Sequence, residues 1–163
     1  MIFGLSFSAY TTLHVVISLV AIFAGLVVVA GMLKGRRLDG WTSLFLWTTV
    51  LTSVTGFGFP FERFLPSHYT GFISLAVLAI AILARYSFHM VGAWRWIYVV
   101  TAVTALYLNV FVLVVQLFLK VSFLQPLAPT QSEPPFLIAQ IAALLAFVYL
   151  GYAGIRRFHP QTA

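Results

Sequence analysis

The chain contains no cysteine among its 163 residues, and only 7% of them are charged. Without cysteine there can be no disulfide, no thiolate metal site and no thiol nucleophile. Water-soluble domains carry about 25% charged residues, and a chain this short has too little interior to bury 62% hydrophobic residues. The composition therefore excludes a cytosolic enzyme, a nucleic-acid-binding module and a disordered chain. It predicts an all-α integral membrane protein whose first partner is the lipid bilayer.

Acidic residues are also scarce, since Asp39, Glu62 and Glu133 are the only three. All three are predicted to lie in loops, with Asp39 across the membrane from the other two. Paired-carboxylate catalysis would need Glu62 and Glu133 to meet from separate loops. No HxxxH or HExxH spacing and no glycine-rich phosphate loop occurs. We therefore expect no catalytic residue and no metal site, and we interpret the protein as non-enzymatic.

Long apolar stretches take the place of charge. A helix that crosses the hydrocarbon core needs about 20 apolar residues. Five segments reach that length: 8–33, 41–59, 68–90, 94–119 and 135–155. The third and fourth are separate spans, because a single helix across their boundary would bury Arg85 and Arg95 in lipid at considerable cost. The sequence predicts five transmembrane helices in a single bundle formed by residues 1–163.

Basic residues are distributed unequally between the two sides that five spans define. Only Arg63 and Lys120 lie on one side. Seven lie on the other: Lys34, Arg36, Arg37, Arg85, Arg95, Arg156 and Arg157. Because Lys and Arg accumulate in short cytoplasmic loops, the N-terminus should face outward and the C-terminus the cytoplasm. We interpret these charges as orienting anchors. Four aromatic residues at the same interface predict an aromatic belt: Trp41, Trp94, Trp96 and Tyr98.

A faint internal repeat relates the first two predicted helices to the next two. His14 corresponds to His68, and Trp41 corresponds to Trp94. Each pair would contain an outward-starting helix with a histidine and a returning helix that begins with tryptophan. The pattern predicts a tandem repeat of two helix pairs, followed by a fifth helix.

Polar side chains within and beside the spans define a candidate recognition surface in the outer half. Asn109 lies near the middle of its span, with Gln116 about 20° away around the helix. An amide in hydrocarbon needs a partner, which we expect on the first or fifth span, and both structural fastening and ligand or subunit binding are open for it. The candidate ligand- or partner-binding residues are His14, Asn109, Gln116, Gln131, Glu133 and Gln140.

His14 and His68 are predicted to lie toward the same, outer side of the membrane. Two histidines inside a bundle could hold a metal or a b-type haem. His89 and His159 lie at the opposite face and cannot complete that pair, and His68 is shallow for a haem held within the core. A hydrogen-bonded histidine is the alternative, so the cofactor is left open.

Five stretches of the chain carry a resemblance: RLDGWTSLFL, TSVTGFGFPFE, AWRWIYVVTAV, LYLNVFVLVVQLFLK and LAPTQSEPPF. Together they resemble a family of small, functionally uncharacterised multi-span proteins of the bacterial inner membrane. The likeness covers nearly the whole chain after the first few residues and implies the location, but no activity. A looser likeness to haem-bearing four-helix membrane proteins depends on His14, His68 and the repeat. The chain departs from that pattern because it lacks two pairs of buried histidines.

Three functional hypotheses follow. The first is a non-enzymatic accessory or assembly subunit of a larger membrane complex, or a homo-oligomer. The second is an electron-transfer protein with haem at His14 and His68. The third is a small transporter or lipid-binding protein that uses the face of Asn109 and Gln116.

Overall fold

A computed structural model describes residues 4, 6–60 and 66–160, and every regular element in these residues is helical. The all-α prediction is therefore confirmed for this part of the chain. The five α-helices are α1 Phe7–Leu33, α2 Asp39–Gly56, α3 Pro66–Ile82, α4 Ala93–Lys120 and α5 Pro134–Arg157. A π-helical turn extends α3 over Leu83–Ser87, and a short 3-10 turn at Gln125–Leu127 precedes α5. Among the described residues, α1, α3 with its π turn, α4 and α5 are long and apolar enough to cross a membrane.

Consecutive helices run antiparallel. The Tyr10 hydroxyl near the start of α1 donates to the Thr55 carbonyl near the end of α2 at 2.7 Å. Arg95 in the first turn of α4 donates to the Phe158 carbonyl, just after α5, at 2.8 Å. One end of the bundle, which we call the basic end, thus carries seven basic residues: Lys34, Arg36, Arg37, Arg85, Arg95, Arg156 and Arg157.

The main apolar core fills the basic half of the bundle. Its buried members lie within 22–32 of α1, 45–46 of α2, 78–84 of α3 and its π turn, and 98–106 of α4. Phe147 on α5 joins them, as do Met90 and Phe158 outside the helices. At Gly25, an added Cβ would lie 2.6 Å from Leu106 Cδ1 and 2.9 Å from the Phe45 ring. A residue without a side chain is therefore needed where α1, α2 and α4 meet, since small residues let membrane helices approach closely.

Two helices end before the predicted span limits. Helix α2 ends at Gly56, where the amides of Phe57 and Gly58 turn back to the carbonyls of Val54 and Thr55. A side chain at Gly58 would collide with the Tyr10 hydroxyl, so α2 ends in a turn that admits this ring. Helix α2 therefore ends three residues before residue 59, the predicted limit of this span.

The third span, predicted to reach residue 90, is helical as far as Ser87. In its wider last turn, the Phe88 amide bonds to the Leu83 carbonyl at 2.9 Å. His89 and Met90 then take positive φ values of 50° and 56°, which α-helices of L-residues do not adopt, so the chain leaves the helix there.

Helix α5 packs against α4. An added Cβ at Gly154 would lie 2.9 Å from Val99 Cγ1, so the two backbones are close at the basic end. At the other end, Phe118, Ala128 and Phe136 form a second apolar cluster that attaches the loop between α4 and α5 to both helices. The predicted tandem repeat of two helix pairs stays a prediction.

Candidate ligand-binding cavity

A cavity of about 550 Å³ lies between α1, α2, α3 and α4, at the end opposite the basic end. We call this the cavity end. Helices α1 and α2 remain in contact there through the hydrogen bonds of Tyr10 and His14 to Thr55, and residues from all four helices line the open space. The volume is in the range of about 300–1,000 Å³ that small-molecule sites occupy.

Helix α4 contributes a continuous stripe to the cavity wall. Its lining residues are Leu108, Asn109, Val112, Leu113, Gln116, Leu117, Lys120 and Val121. Steps of one and three residues keep them on one face of the helix. From Asn109 to Lys120 the stripe rises about 16 Å at 1.5 Å per residue. The wall is therefore mainly apolar, with polar side chains at both ends of the stripe.

His14 is fastened to the opposite wall. Its Nδ1 lies 2.8 Å from the Thr55 hydroxyl oxygen. Because that hydroxyl donates its own hydrogen to the Leu51 carbonyl at 2.7 Å, the Thr55 oxygen accepts and His14 Nδ1 carries the proton. The other ring nitrogen, Nε2, is then an unprotonated acceptor. The Ser18 hydroxyl, one turn deeper, donates to the His14 carbonyl at 2.7 Å.

Asn109 is held in the same way. Its side-chain amide donates to the Thr49 hydroxyl oxygen at 3.3 Å, and Thr49 donates onward to the Phe45 carbonyl at 2.7 Å. The partner is therefore on α2, not on the first or fifth helix as the sequence predicted. Nearby, the hydroxyls of Ser53 on α2 and Ser74 on α3 share a hydrogen bond, with their oxygens 3.1 Å apart. The polar groups at this depth are thus hydrogen-bonded between helices.

Gln116 and Lys120 occupy the rim of the cavity. Both line it, one turn apart on α4. Within the described residues, neither side chain has a hydrogen-bond partner. Their donors are therefore available to a ligand, unlike the Nδ1 proton of His14.

The two candidate cofactor ligands line one cavity. His68, near the start of α3, is 5% exposed, and its ring centroid lies 6.1 Å from that of Phe57. His14 lines the cavity from α1. In residues 4, 6–60 and 66–160, no group of three or more His, Asp or Glu residues is arranged to hold a metal ion. Among the described lining residues, His14 and His68 are the two that could ligate a metal or haem iron.

The remaining candidate residues lie outside the cavity lining, between α4 and either α5 or the loop that precedes it. Gln131 donates from Nε2 to the Val115 carbonyl at 3.0 Å, and Gln140 donates from Nε2 to the Phe111 carbonyl at 3.2 Å. The single surface expected from the sequence is therefore divided. His14, Asn109 and Gln116 meet in the cavity, whereas Gln131, Glu133 and Gln140 lie along the α4–α5 side.

No family model, curated protein or solved structure matches this chain. The resemblance to a family of bacterial inner-membrane proteins therefore stays a prediction. Function has to be inferred from the cavity and the side chains around it.

Glu133 organises the loop before α5. Its carboxylate accepts hydrogen bonds from the Thr130 hydroxyl at 2.8 Å, from the Thr130 amide at 3.1 Å and from the Ser132 amide at 3.1 Å. Partial desolvation raises the pKa of the Glu133 carboxyl, but these hydrogen bonds outweigh that effect and hold the pKa below its ordinary value. Its role in the described chain is to shape the loop. Glu62 and Arg63 lie outside the described residues.

Sequence reasoning missed a buried cluster at the basic end. Arg85, predicted to be an orienting surface charge, is only 2% exposed. Its Nη2 donates to the Asp39 carboxylate, and its guanidinium carbon lies 5.3 Å from the centroid of the Tyr98 ring. Tyr98, predicted to belong to an aromatic belt, is fully buried. A lone acid among seven basic residues was the signal that one of those bases has a structural partner.

Proposed function

We propose that this protein is a non-enzymatic, five-span protein of the bacterial inner membrane that binds a small amphipathic ligand in its outer-half cavity. The observation that carries the proposal is the cavity itself, with an apolar α4 wall facing hydrogen-bonded polar groups on α1, α2 and α3. The described lining residues include hydroxyl, imidazole, amide and ammonium groups but no carboxylate. This set is suited to holding a ligand in place.

The assignment of α2 as a transmembrane helix needs further argument, because α2 is the least apolar of the five helices. Two features support a transmembrane α2. The hydroxyls of Thr48, Thr49, Thr52, Ser53 and Thr55 all donate to carbonyls of their own helix, so they need no water. Its exposed large side chains form an apolar face that can meet lipid: Trp41, Leu44, Trp47, Leu51 and Val54.

The proposed orientation places the cavity end outside and the basic end in the cytoplasm. The chain has no native cysteine, so single cysteines can be labelled without background. We expect Ser132→Cys to react with an impermeant maleimide in intact spheroplasts, and Arg36→Cys to react only after lysis. The reverse pattern would invert the orientation.

Ligand binding is tested by filling the cavity. Ser18 lines it, whereas Val16 on the same helix is 52% exposed and lies outside the lining. We expect small amphiphiles enriched over bulk lipid in mass spectra of the wild type and of Val16→Phe, each purified in mild detergent. Ser18→Phe, with the same added ring inside the cavity, should lose them. Equal enrichment in both variants would contradict the proposal.

Haem is a second candidate, favoured by the tautomer of His14. Metal-bound histidines commonly donate one ring N–H to the protein and bind through the other nitrogen, and His14 has this arrangement through Thr55. With His68 in the same cavity, the two histidines would hold the iron of a b-type haem, which would supply one-electron chemistry. A Soret band in protein purified from haem-replete cells, lost in His14→Ala and in His68→Ala, would support it. A spectrum without that band removes this candidate.

We also propose that the protein works as an accessory or assembly subunit of a larger membrane complex, or as a homo-oligomer. The exposed apolar face of α5, which includes Ile138, Leu145 and Val148, is accessible to a neighbouring subunit and supports a contact of this kind. Mass measurement of the particle in mild detergent tests it. A strict monomer without a co-purifying protein would contradict it.

A further inference from the structure

We propose that the cavity binds a single-chain amphiphile with an anionic oxygen head, of which a long-chain fatty acid is the simplest example. Gln116 and Lys120 hold the head at the rim, and the chain extends along α4 toward Asn109. This inference rests on the proposed function, because it names the ligand class of the same cavity.

The deep polar groups of the cavity do not require a polar ligand. The Nδ1–H of His14 donates a hydrogen bond to the Thr55 hydroxyl oxygen, and the side-chain amide of Asn109 donates one to the Thr49 hydroxyl oxygen. The Ser18 hydroxyl donates to its own helix. Each of these groups already has one hydrogen bond within the protein, which lowers the cost of placing it beside an apolar chain.

In the described part of the chain, the hydrogen-bond donors at the rim of the cavity are unused, whereas those deeper in the cavity are already bonded within the protein. Gln116 and Lys120 are four residues apart, so they are neighbours on one helix face, about 6 Å apart along the axis. Both are without a hydrogen-bond partner within the described residues. An ammonium and an amide N–H together bind an anionic oxygen group, since hydrogen bonds with an ionised partner are about twice as strong as neutral ones.

The apolar part of the wall fits the chain of such a molecule. Leu117, Leu113 and Leu108 line the cavity below the rim at steps of four and five residues on α4. On α1, Val15 and Leu19 line it as well and are at least 42% exposed. Apolar side chains thus accompany the ligand from the rim to the depth of Asn109.

The test uses the full chain in phosphatidylcholine nanodiscs at alkaline pH, with four probes. These are palmitate, cetyl alcohol with the same chain but a neutral head, palmitoyl lysophosphatidate with a phosphate head, and inorganic phosphate without a chain. We expect palmitate and lysophosphatidate to bind at least about tenfold more tightly than cetyl alcohol. Inorganic phosphate should not compete. Competition by inorganic phosphate as strong as that of lysophosphatidate would identify a free anion site and overturn the inference.

Matched variants assign the head site. Lys120→Gln and Gln116→Leu should each weaken palmitate binding by about tenfold and leave cetyl alcohol unchanged. Lys34→Gln, at the basic end, and Gln125→Leu, outside the cavity lining, serve as controls and should change neither.

The outcomes separate this inference from the proposed function. Suppose that Ser18→Phe abolishes the binding of palmitate and of cetyl alcohol, but Lys120→Gln and Gln116→Leu change neither. The cavity is then a binding site, and the preference for an anionic head group is refuted. Lys120 would then only reach toward the lipid headgroups. If Ser18→Phe leaves palmitate binding intact, the cavity itself is refuted as the site.

Discussion

Removing the charge of Asp39 isolates the energetic cost of burying Arg85. The Arg85 side chain is 1% exposed and the Asp39 side chain is 68% exposed, so the pair joins a buried cation to an accessible anion. Breaking a fully buried pair costs about 3–5 kcal/mol, because the remaining charge is left uncompensated. Water around Asp39 screens part of the attraction. We therefore expect Asp39→Asn to lower the free energy of unfolding by about 2–3 kcal/mol.

Equilibrium unfolding in mild detergent, followed by circular dichroism, measures this loss. Arg37→Gln is the control, because Arg37 pairs with the same carboxylate at 3.2 Å but is 39% exposed. Such exposed pairs contribute about 0–1 kcal/mol. In the Arg85→Met background, Asp39→Asn should cost less than about 1 kcal/mol, since no buried charge remains. A loss from Asp39→Asn no larger than that from Arg37→Gln would refute the reasoning.

Three further predictions concern helix packing, the polar interior and the loop between α4 and α5. Gly25→Ala should lower the free energy of unfolding by about 1–3 kcal/mol, because the new Cβ would lie 2.6 Å from Leu106 Cδ1. Equilibrium unfolding in detergent measures this loss, and an unchanged unfolding midpoint would contradict the prediction. Asn109→Leu should lower the free energy of unfolding by about 0.5–2 kcal/mol, because the hydrogen bond to Thr49 is lost. A double-mutant cycle with Thr49→Val should show energetic coupling between the two residues, and strictly additive effects would contradict this prediction. The pKa of Glu133 is lowered, so its contribution to the loop is complete above the unfolded-state pKa and is lost as pH falls through the lower folded-state pKa. The protection of the loop amides, which is the intrinsic exchange rate divided by the observed rate at the same pH, should therefore fall in this range in the wild type. Glu133→Gln should lack this pH response, and the same response in that variant would contradict the prediction.

Properties that depend on neighbours along the chain were predictable. Hydropathy over successive 20-residue stretches indicated the helices, because a membrane helix satisfies its own backbone hydrogen bonds whatever surrounds it. The 100° helical step placed Asn109 and Gln116 on one face of α4, and both line the cavity. The uneven distribution of Lys and Arg likewise indicated the basic end, since it requires only the order of spans and loops.

Partners across helices were not predictable in the same way. Asn109 bonds to Thr49 on α2, although the small-residue face of the first span and the glutamine face of the fifth were the expected neighbours. Hydroxyl, amide and small residues occur on several helices, and the spacing within one helix does not state which other helix it faces. The tandem repeat and the orientation in the membrane are still predictions for the same reason, because each concerns relations beyond a single helix.

By itself, the sequence determined that the described residues form helices, that several of these are long and apolar enough to cross a membrane, and that basic residues are concentrated at one end. Only the tertiary structure decided that Arg85 and Tyr98 are buried together and that the candidate surface divides between a cavity and the α4–α5 side. Helix formation follows local hydrogen bonding and apolar length, which a linear chain records. Burial and cavity shape follow from where helices touch and where they separate, and a contact such as that of Gly25 with Leu106 exists only in three dimensions.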